Sequence, residues 1–548
     1  MIWFWRYCGR NINADAICYI GIARHVAAGD FQTSVHGYWS PLISWLIAAT
    51  SIAATSIPAN DRTLAARLLM LPLFALCLAL AYWLTYRLWS SRLLAAAVVL
   101  WFTLARGVAA FSISFIGADL LLTACVLAYF ILLLGCLEKP DNFGKWLALG
   151  VAHGLAFLAK AISLPLFAIA TVLAVVSSHR ASSRKAALAL VCAAIFPILT
   201  AAGWGTAIRE KYHVFTTGYQ LRFNLLDPAA RRAATKGGLA VLHDARGKYD
   251  SFMVTDQMPP GSPLWRVPVW RPGLLRQVLR KEAENIPEAI KQLLVLLTPG
   301  GALALFLAVF QLTRGGRQAA ARFRFAWIVV FTTAALLLAY CMLVFDGRYV
   351  LPITAVLMAL SVRFAVPEEI TRVAGTNVEK VDPAGHWQTL AAILLVVGLI
   401  GVQFYWASPF RMMRQDFQRS VYDAADGLRK GQAQTVVVIG DGPYPAHGVG
   451  WEAGVYAAYF AEARVVGELF EEPDSVLKGN VDADSVVSDV GKLAPDAVLV
   501  WDSPTHRKYG DVVNKLQQSG RDVSTRSISD PVKGNVGTLI FLRREGRT

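Results

Sequence analysis

The sequence predicts a polytopic α-helical membrane protein that ends in an extracytoplasmic α/β domain. Three observations predict it. Of 548 residues, 55% are hydrophobic and only 17% are charged, against roughly a quarter in soluble domains. Ten apolar runs, at about 64–86, 93–110, 119–137, 146–160, 162–177, 187–205, 293–312, 325–345, 349–365 and 389–406, mostly reach the length that crosses a bilayer as a helix. After residue 407 the long apolar runs stop, and short strand-like and helix-like segments alternate. An ordinary soluble protein is excluded, because too little polar surface exists to cover this much apolar chain. Disorder and collagen-like repeats are excluded by the same composition.

The first forty residues are polar and aromatic, with Asp15, Arg24, His25 and Asp30. The opening MIWFW is far too short to span, so a further spanning helix is expected upstream of Met1. The stretch 41–57 contains Ser44, Thr50, Ser51, Thr55 and Ser56. It is at the lower limit for spanning and leaves open an interfacial or re-entrant placement. The apolar stretch 146–177 reads as two short helices, since one helix of that length overshoots the bilayer.

Orientation follows from lysine and arginine in short loops. Arg180, Arg184 and Lys185 mark 178–185 as cytoplasmic; Arg314, Arg317, Arg322 and Arg324 do the same for 313–324. Counting along the chain puts 87–92 (Arg87, Arg92) and 138–145 (Lys139, Lys145) on the same side. The loop 111–118, without Lys or Arg, falls outside with 207–290, 346–348 and everything after 407. The reading is therefore a membrane domain over 1–407, with outer loops 1–63 and 207–290, and an outer α/β domain over 408–548. In that tail TVVVIG, ARVVGEL, DAVLVW and GTLIFL read as strands, and EAGVYAAYFA and YGDVVNKLQQSG as helices. The alternation predicts a partly parallel sheet. Gly440-Asp441-Gly442 after the first strand is a weak nucleotide-loop signal, and Pro443 and Pro445 favour a strand-end turn.

The net charge is +15, from 53 basic and 38 acidic residues. In this apolar context it points to lipid phosphates rather than nucleic acid. Seven cysteines are scattered without a CxxC pair, so neither a zinc site nor a thioredoxin motif is supported.

Four constellations carry candidate chemistry. Asn13-Ala14-Asp15, with Tyr19 and later Tyr38-Trp39-Ser40-Pro41-Leu42, offers a carboxylate as a general base at the membrane surface. Asp119 opens an apolar helix, where the dipole favours an acid and a cap is the plain alternative. Lys160 lies within an apolar stretch, where an ammonium snorkels or meets an anion. Asp346-Gly347-Arg348-Tyr349 opens a helix on the outer side, with a guanidinium fork for phosphate. Two carboxylates and several cations on one outer face suit attack by a hydroxyl on a sugar whose leaving group is a lipid phosphate. No Walker A motif is present, which counts against an ATP-driven pump.

In their order along residues 13–365 these motifs resemble the GT-C superfamily of polyprenyl-phosphate-sugar glycosyltransferases, near the protein mannosyltransferase and lipid A aminoarabinose transferase branch. Asp15, Tyr19 and Pro41-Leu42 match the acidic motif, tyrosine and Pro-Leu step of the first outer loop. Asp119 matches the second outer acid, Gly154 to Ala161 a lysine-bearing stretch, and Arg348 to Pro352 an Arg-Tyr-Leu-Leu-Pro-like step. The sequence departs where Ala16 replaces a second acid and Trp39-Ser40 replaces a Lys-Pro step, so a cation is missing. Arg24, His25 or Lys160 are candidates to supply it. The resemblance implies an inverting transferase acting on a hexosyl or pentosyl polyprenyl phosphate and an outer acceptor, with a non-spanning 41–57. It implies Asp15 and Asp119 as catalytic residues, Lys160, Arg348 and Tyr349 on the donor phosphate, and Tyr19, Arg24, His25 and Tyr38 in support. It leaves a divalent metal open. The alternative from another class is a transporter or flippase for a lipid-linked saccharide, which should carry mid-membrane ionisable groups and paired repeats.

Overall fold

A computed structural model describes residues 13–50, 59–105, 115–179, 182–218, 241–242, 272–314, 320–342, 347–365, 419–439, 452–469, 483–501, 510–518, 523–530 and 534–542, with the single positions 220 and 394. The apolar run 389–406, the Gly440-Asp441-Gly442 turn and Asp346 lie outside the described residues.

The chain enters through α1 (Ala14–Ala27), a single turn α2 (Phe31–Ser34) and α3 (Leu42–Thr50). The nine residues of α3 extend only about 13 Å, well short of a bilayer. The membrane helices follow as α4 (Ala59–Trp89), α5 (Arg92–Leu104), α6 (Ala118–Glu138), α7 (Phe143–Ala159), α8 (Ser163–Ser178), α9 (Ser183–Tyr212), α10 (Pro272–Arg314), α11 (Ala320–Cys341) and α12 (Leu351–Ala365). Among the described residues, four helices are long and apolar enough to cross a membrane: Thr63–Trp89, Ala118–Glu138, Ser183–Tyr212 and Ala321–Cys341. The stretch 146–177 is broken into α7 and α8, as its length requires.

α6 is the axis of the bundle, buried along nearly its whole length. α9 is peripheral and leaves Val191, Ile195, Ile198 and Leu199 exposed, an apolar face suited to lipid. α7 and α9 pack closely because Gly150 faces the Ala193 backbone, where a Cβ would lie 2.6 Å from the carbonyl oxygen.

Within the expected outer segment 207–290, helix occupies both ends. α9 continues to Tyr212, and α10 starts at Pro272. The first part of α10 is polar and held by surface pairs such as Lys291–Glu288 at 3.0 Å, so it has no apolar signature. α10 then bends at Thr298, whose φ of 62° is left-handed, just before Pro299.

The tail comprises α13 (Arg419–Lys430), β2 (Thr435–Ile439), α14 (Glu452–Ala461), β3 (Arg464–Leu469), α15 (Ala483–Leu493), β4 (Ala497–Trp501), α16 (Gly510–Gln518), β5 (Val523–Asp530) and β6 (Gly534–Leu542). Its strands order as β1-β3-β2-β4-β6-β5, with β1 being Val241–Leu242 from the outer segment. β2 runs parallel to β3 and β4; β6 is antiparallel to β4 and β5. Alternation sends Val436, Val438, Leu499 and Trp501 to one face and Val437, Ile439, Val498 and Val500 to the other. The second face is covered by α15 and α16. The first face joins the core of the membrane domain through Ala424 and Tyr456, continuous with Ile17 and Ile20 of α1. The Thr63 and Tyr459 hydroxyls meet at 3.1 Å across this junction.

The helix ends sort by charge. At one end Arg87 pairs with Glu138, Lys185 with Asp141 at 3.0 Å, and Arg324 donates to the Ser177 carbonyl at 2.8 Å. All four basic loops are therefore represented at one end. The opposite end carries α1, the N-terminus of α6, the turn after α7 and the tail.

Candidate active site

Asp15 lies in the first turn of α1 and Asp119 in the first turn of α6, where unpaired backbone N–H groups favour carboxylates. Lys160 is the residue just past α7, in extended conformation, where the helix's negative end favours a cation. Arg348 sits in the 3-10 turn Gly347–Val350 that leads into α12. Four charges thus stand at four helix ends, and the fold converges them.

Arg348 Nη1 donates to Asp15 Oδ2 at 2.6 Å, and its Nε lies 3.8 Å from Asp119 Oδ2. Lys160 Nζ donates to Asp119 Oδ1. The chain of charge runs Asp15, Arg348, Asp119, Lys160. Asp119's side chain is only 3% exposed, whereas Asp15 retains 21%. Asp119 is locked between two cations, while Asp15 stays within reach of an incoming group. Aromatic rings wall the cations: Lys160 lies 4.7 Å from the Tyr349 centroid, and Arg348 lies 4.5 Å from that of Phe115. Below the cluster is a small apolar cavity of about 10 Å³ lined by Leu122, Phe130, Phe167, Leu336 and Ile353, among others. Leu122 lies one turn from Asp119, and Ile353 one turn from Tyr349.

The supporting residues divide. Tyr19 is buried beside the cluster; burial pushes its hydroxyl well above the ordinary tyrosine value, with Lys160 acting in the opposite direction. It therefore stays a proton donor. Its ring packs edge-on against Trp39 at 5.0 Å, and Trp39 in turn meets Tyr38 at 4.8 Å. Tyr38 lies behind Tyr19 in this stack. Arg24 and His25 are in the last turn of α1, about 14–15 Å along the axis from Asp15. His25 Nδ1 is 3.0 Å from Asp30 Oδ2 there. Of the three candidates for the missing cation, the fold brings only Lys160 to the acids.

Three residues of the site are not legible as such in the sequence: Phe115, Tyr340 and the role of Asn13. Asn13 caps α1 in position but makes no side-chain bond to that helix. Its amide donates to the Ile116 carbonyl at 3.0 Å and accepts from the Ile116 N–H at 3.0 Å. This two-point clamp ties the start of α1 to the loop that opens α6, so the two acids share one register. Asn13→Ala is expected to lower stability by about 1–2 kcal/mol and turnover several-fold, with donor affinity little changed. Thermal unfolding and steady-state kinetics on one preparation check this; unaltered turnover would remove the positioning role.

Apolar helices whose ends share a charged cluster, beside an α/β domain, form a GT-C-type membrane fold in this chain. It is similar to ArnT from Cupriavidus metallidurans bound to undecaprenyl phosphate, with a TM-score of 0.55 and 13% identity over 98% of this chain and 95% of the other. The oligosaccharyltransferase of Archaeoglobus fulgidus in its apo form also matches, with a TM-score of 0.55 and 12% identity over 90% and 66%. The same enzyme in complex with zinc and sulfate matches at 0.52, over 90% and 64%. At these identities the likeness is one of fold. No family model and no curated protein matches the chain.

Proposed function

We propose that the chain is a multi-pass membrane glycosyltransferase that moves a hexosyl or pentosyl group from a polyprenyl phosphate to a glycan, lipid or protein acceptor. The observation that carries the reading is the cluster Asp15–Arg348–Asp119–Lys160, assembled at helix ends beside apolar side chains. A phosphate on an apolar tail fits this arrangement: its charge meets the two cations, and its tail lies along the apolar helices. The similar ArnT structure holds undecaprenyl phosphate. With the basic loops at the opposite end, the positive-inside rule supports an extracytoplasmic position for the cluster and the tail.

In the proposed step the acceptor oxygen attacks the anomeric carbon and its proton passes to Asp15. The bond from that carbon to the phosphate oxygen breaks, and its electron pair leaves with the polyprenyl phosphate. Arg348 and Lys160 stabilise the growing phosphate charge, and a single displacement inverts the anomeric centre. Asp119 holds both cations in place. A resident divalent ion would need several oxygen ligands. Among the described residues no group of three or more acidic, His or Cys side chains converges, and both carboxylates already face cations.

The test is to incubate purified protein with a panel of polyprenyl-phosphate sugars and acceptors. Release of free polyprenyl phosphate is expected for one donor. Translocation of a lipid-linked saccharide across vesicles, with no release from any donor, would turn the reading to a transporter.

A further inference from the structure

Tyr340, in the last turn of α11, is 4% exposed. Its ring stacks on Tyr349 with centroids 4.4 Å apart and planes only 8° from parallel. Lys160 Nζ lies 5.7 Å from the same ring. The ring is therefore well satisfied, as one wall of the cation's aromatic enclosure. The hydroxyl is not: it is buried and has no hydrogen-bond partner among the described residues. Buried tyrosine hydroxyls nearly always find one. Around it lie Lys160, Asp119, Tyr349 and Arg348, all within electrostatic reach.

A group that needs only ring packing at this position would be phenylalanine, which carries no unmatched O–H. We propose that the Tyr340 hydroxyl is a further ligand-binding group, donating a hydrogen bond to an oxygen of the phosphate that Lys160 and Arg348 attract. The proposal rests on the phosphate-binding reading above. Tyr340 serves that phosphate in two ways. Its ring face steadies the Lys160 ammonium, and its hydroxyl supplies an uncharged donor. The hydroxyl's specificity is for anionic oxygen: an alcohol on the same tail gains little from it.

The experiment compares the full-length protein with Tyr340→Phe in nanodiscs, measuring binding of undecaprenyl phosphate and of undecaprenol. The unfolding midpoint without lipid is measured in parallel. Tyr340→Phe should bind undecaprenyl phosphate about tenfold to a hundredfold more weakly, the range for a hydrogen bond to a charged oxygen. Its binding of undecaprenol should match the wild type. Its unfolding midpoint should be unchanged or raised, because an unpaired buried hydroxyl has been removed. Equal phosphate binding by the two proteins, while the wild type still prefers phosphate to alcohol, overturns the assignment of Tyr340 alone. A lowered midpoint without lipid overturns it too, since the hydroxyl would then serve packing. A wild type that does not distinguish phosphate from alcohol overturns the phosphate-binding reading and the proposal with it.

Discussion

Asp15→Asn is expected to lower turnover by about 10²–10⁴-fold, the usual contribution of a general base, while donor affinity stays close to wild type. Asparagine keeps the shape of the side chain and its place at the start of α1, where Asn also suits a helix N-terminus. What it removes is the ability to take a proton. Asp15 rather than Asp119 is assigned this role because of access. Asp119 is 3% exposed and engaged by Lys160 on one oxygen, while Asp15 is 21% exposed and held by Arg348 at 2.6 Å. In the proposed step an arriving phosphate would compete for Arg348 and loosen its hold on Asp15, so that donor binding would ready the base. Arg348→Ala gives the contrasting result: donor affinity falls about tenfold or more. Turnover and donor affinity measured separately in nanodiscs distinguish the two. Near-normal turnover in Asp15→Asn removes Asp15 from the mechanism; loss of turnover in Asp119→Asn alone moves the base there.

The charged residues of the candidate cluster stand out in the sequence because charge is conspicuous in an apolar chain. Asp119, Lys160 and Arg348 each interrupt or open an apolar run, and a membrane chain seldom carries an ionisable group there without a use. Arg24 and His25 share Asp15's helix but occupy its far end. Helical spacing alone separates them, and an acidic motif followed by cations does not reveal it. The uncharged members were hidden. Tyr340 and Phe115 look like packing residues in apolar or interfacial surroundings, and only three-dimensional placement shows which cation each ring faces. In the tail, β2, β3, β4 and β6 were readable as runs of Val, Ile and Leu. The strand β5, with the sequence VSTRSISD, was not, because its polar residues lie at the sheet's edge. β1 has two residues and exists only because β3 offers its free edge. The polar half of α10 escaped notice because hydropathy sees apolar runs and not charged helices.

Lys160→Met is expected to destabilise the protein by about 3–5 kcal/mol, the usual cost of removing one partner from a buried ion pair. Methionine retains the apolar stem, so α7 and α8 keep their packing around the turn. What changes is Asp119. With 3% of its side chain exposed, it would face only Arg348 Nε at 3.8 Å, which is beyond a normal hydrogen bond. A carboxylate in such surroundings is left partly uncompensated, which disrupts the start of α6. Asp119→Asn should be milder: the amide still accepts a bond from Lys160, whose long stem can carry the ammonium toward the surface. The double variant Lys160→Met with Asp119→Leu should recover most of the lost stability, because replacing both partners by apolar groups is often neutral. It should not recover turnover, since the cation that receives the leaving phosphate is gone. Unfolding midpoints in detergent and turnover in nanodiscs, taken for all three variants, check the set. A Lys160→Met protein as stable as wild type would show that the pair does not carry the burial assigned to it. A double variant with wild-type turnover would remove Lys160 from the chemistry and leave Arg348 as the phosphate's partner.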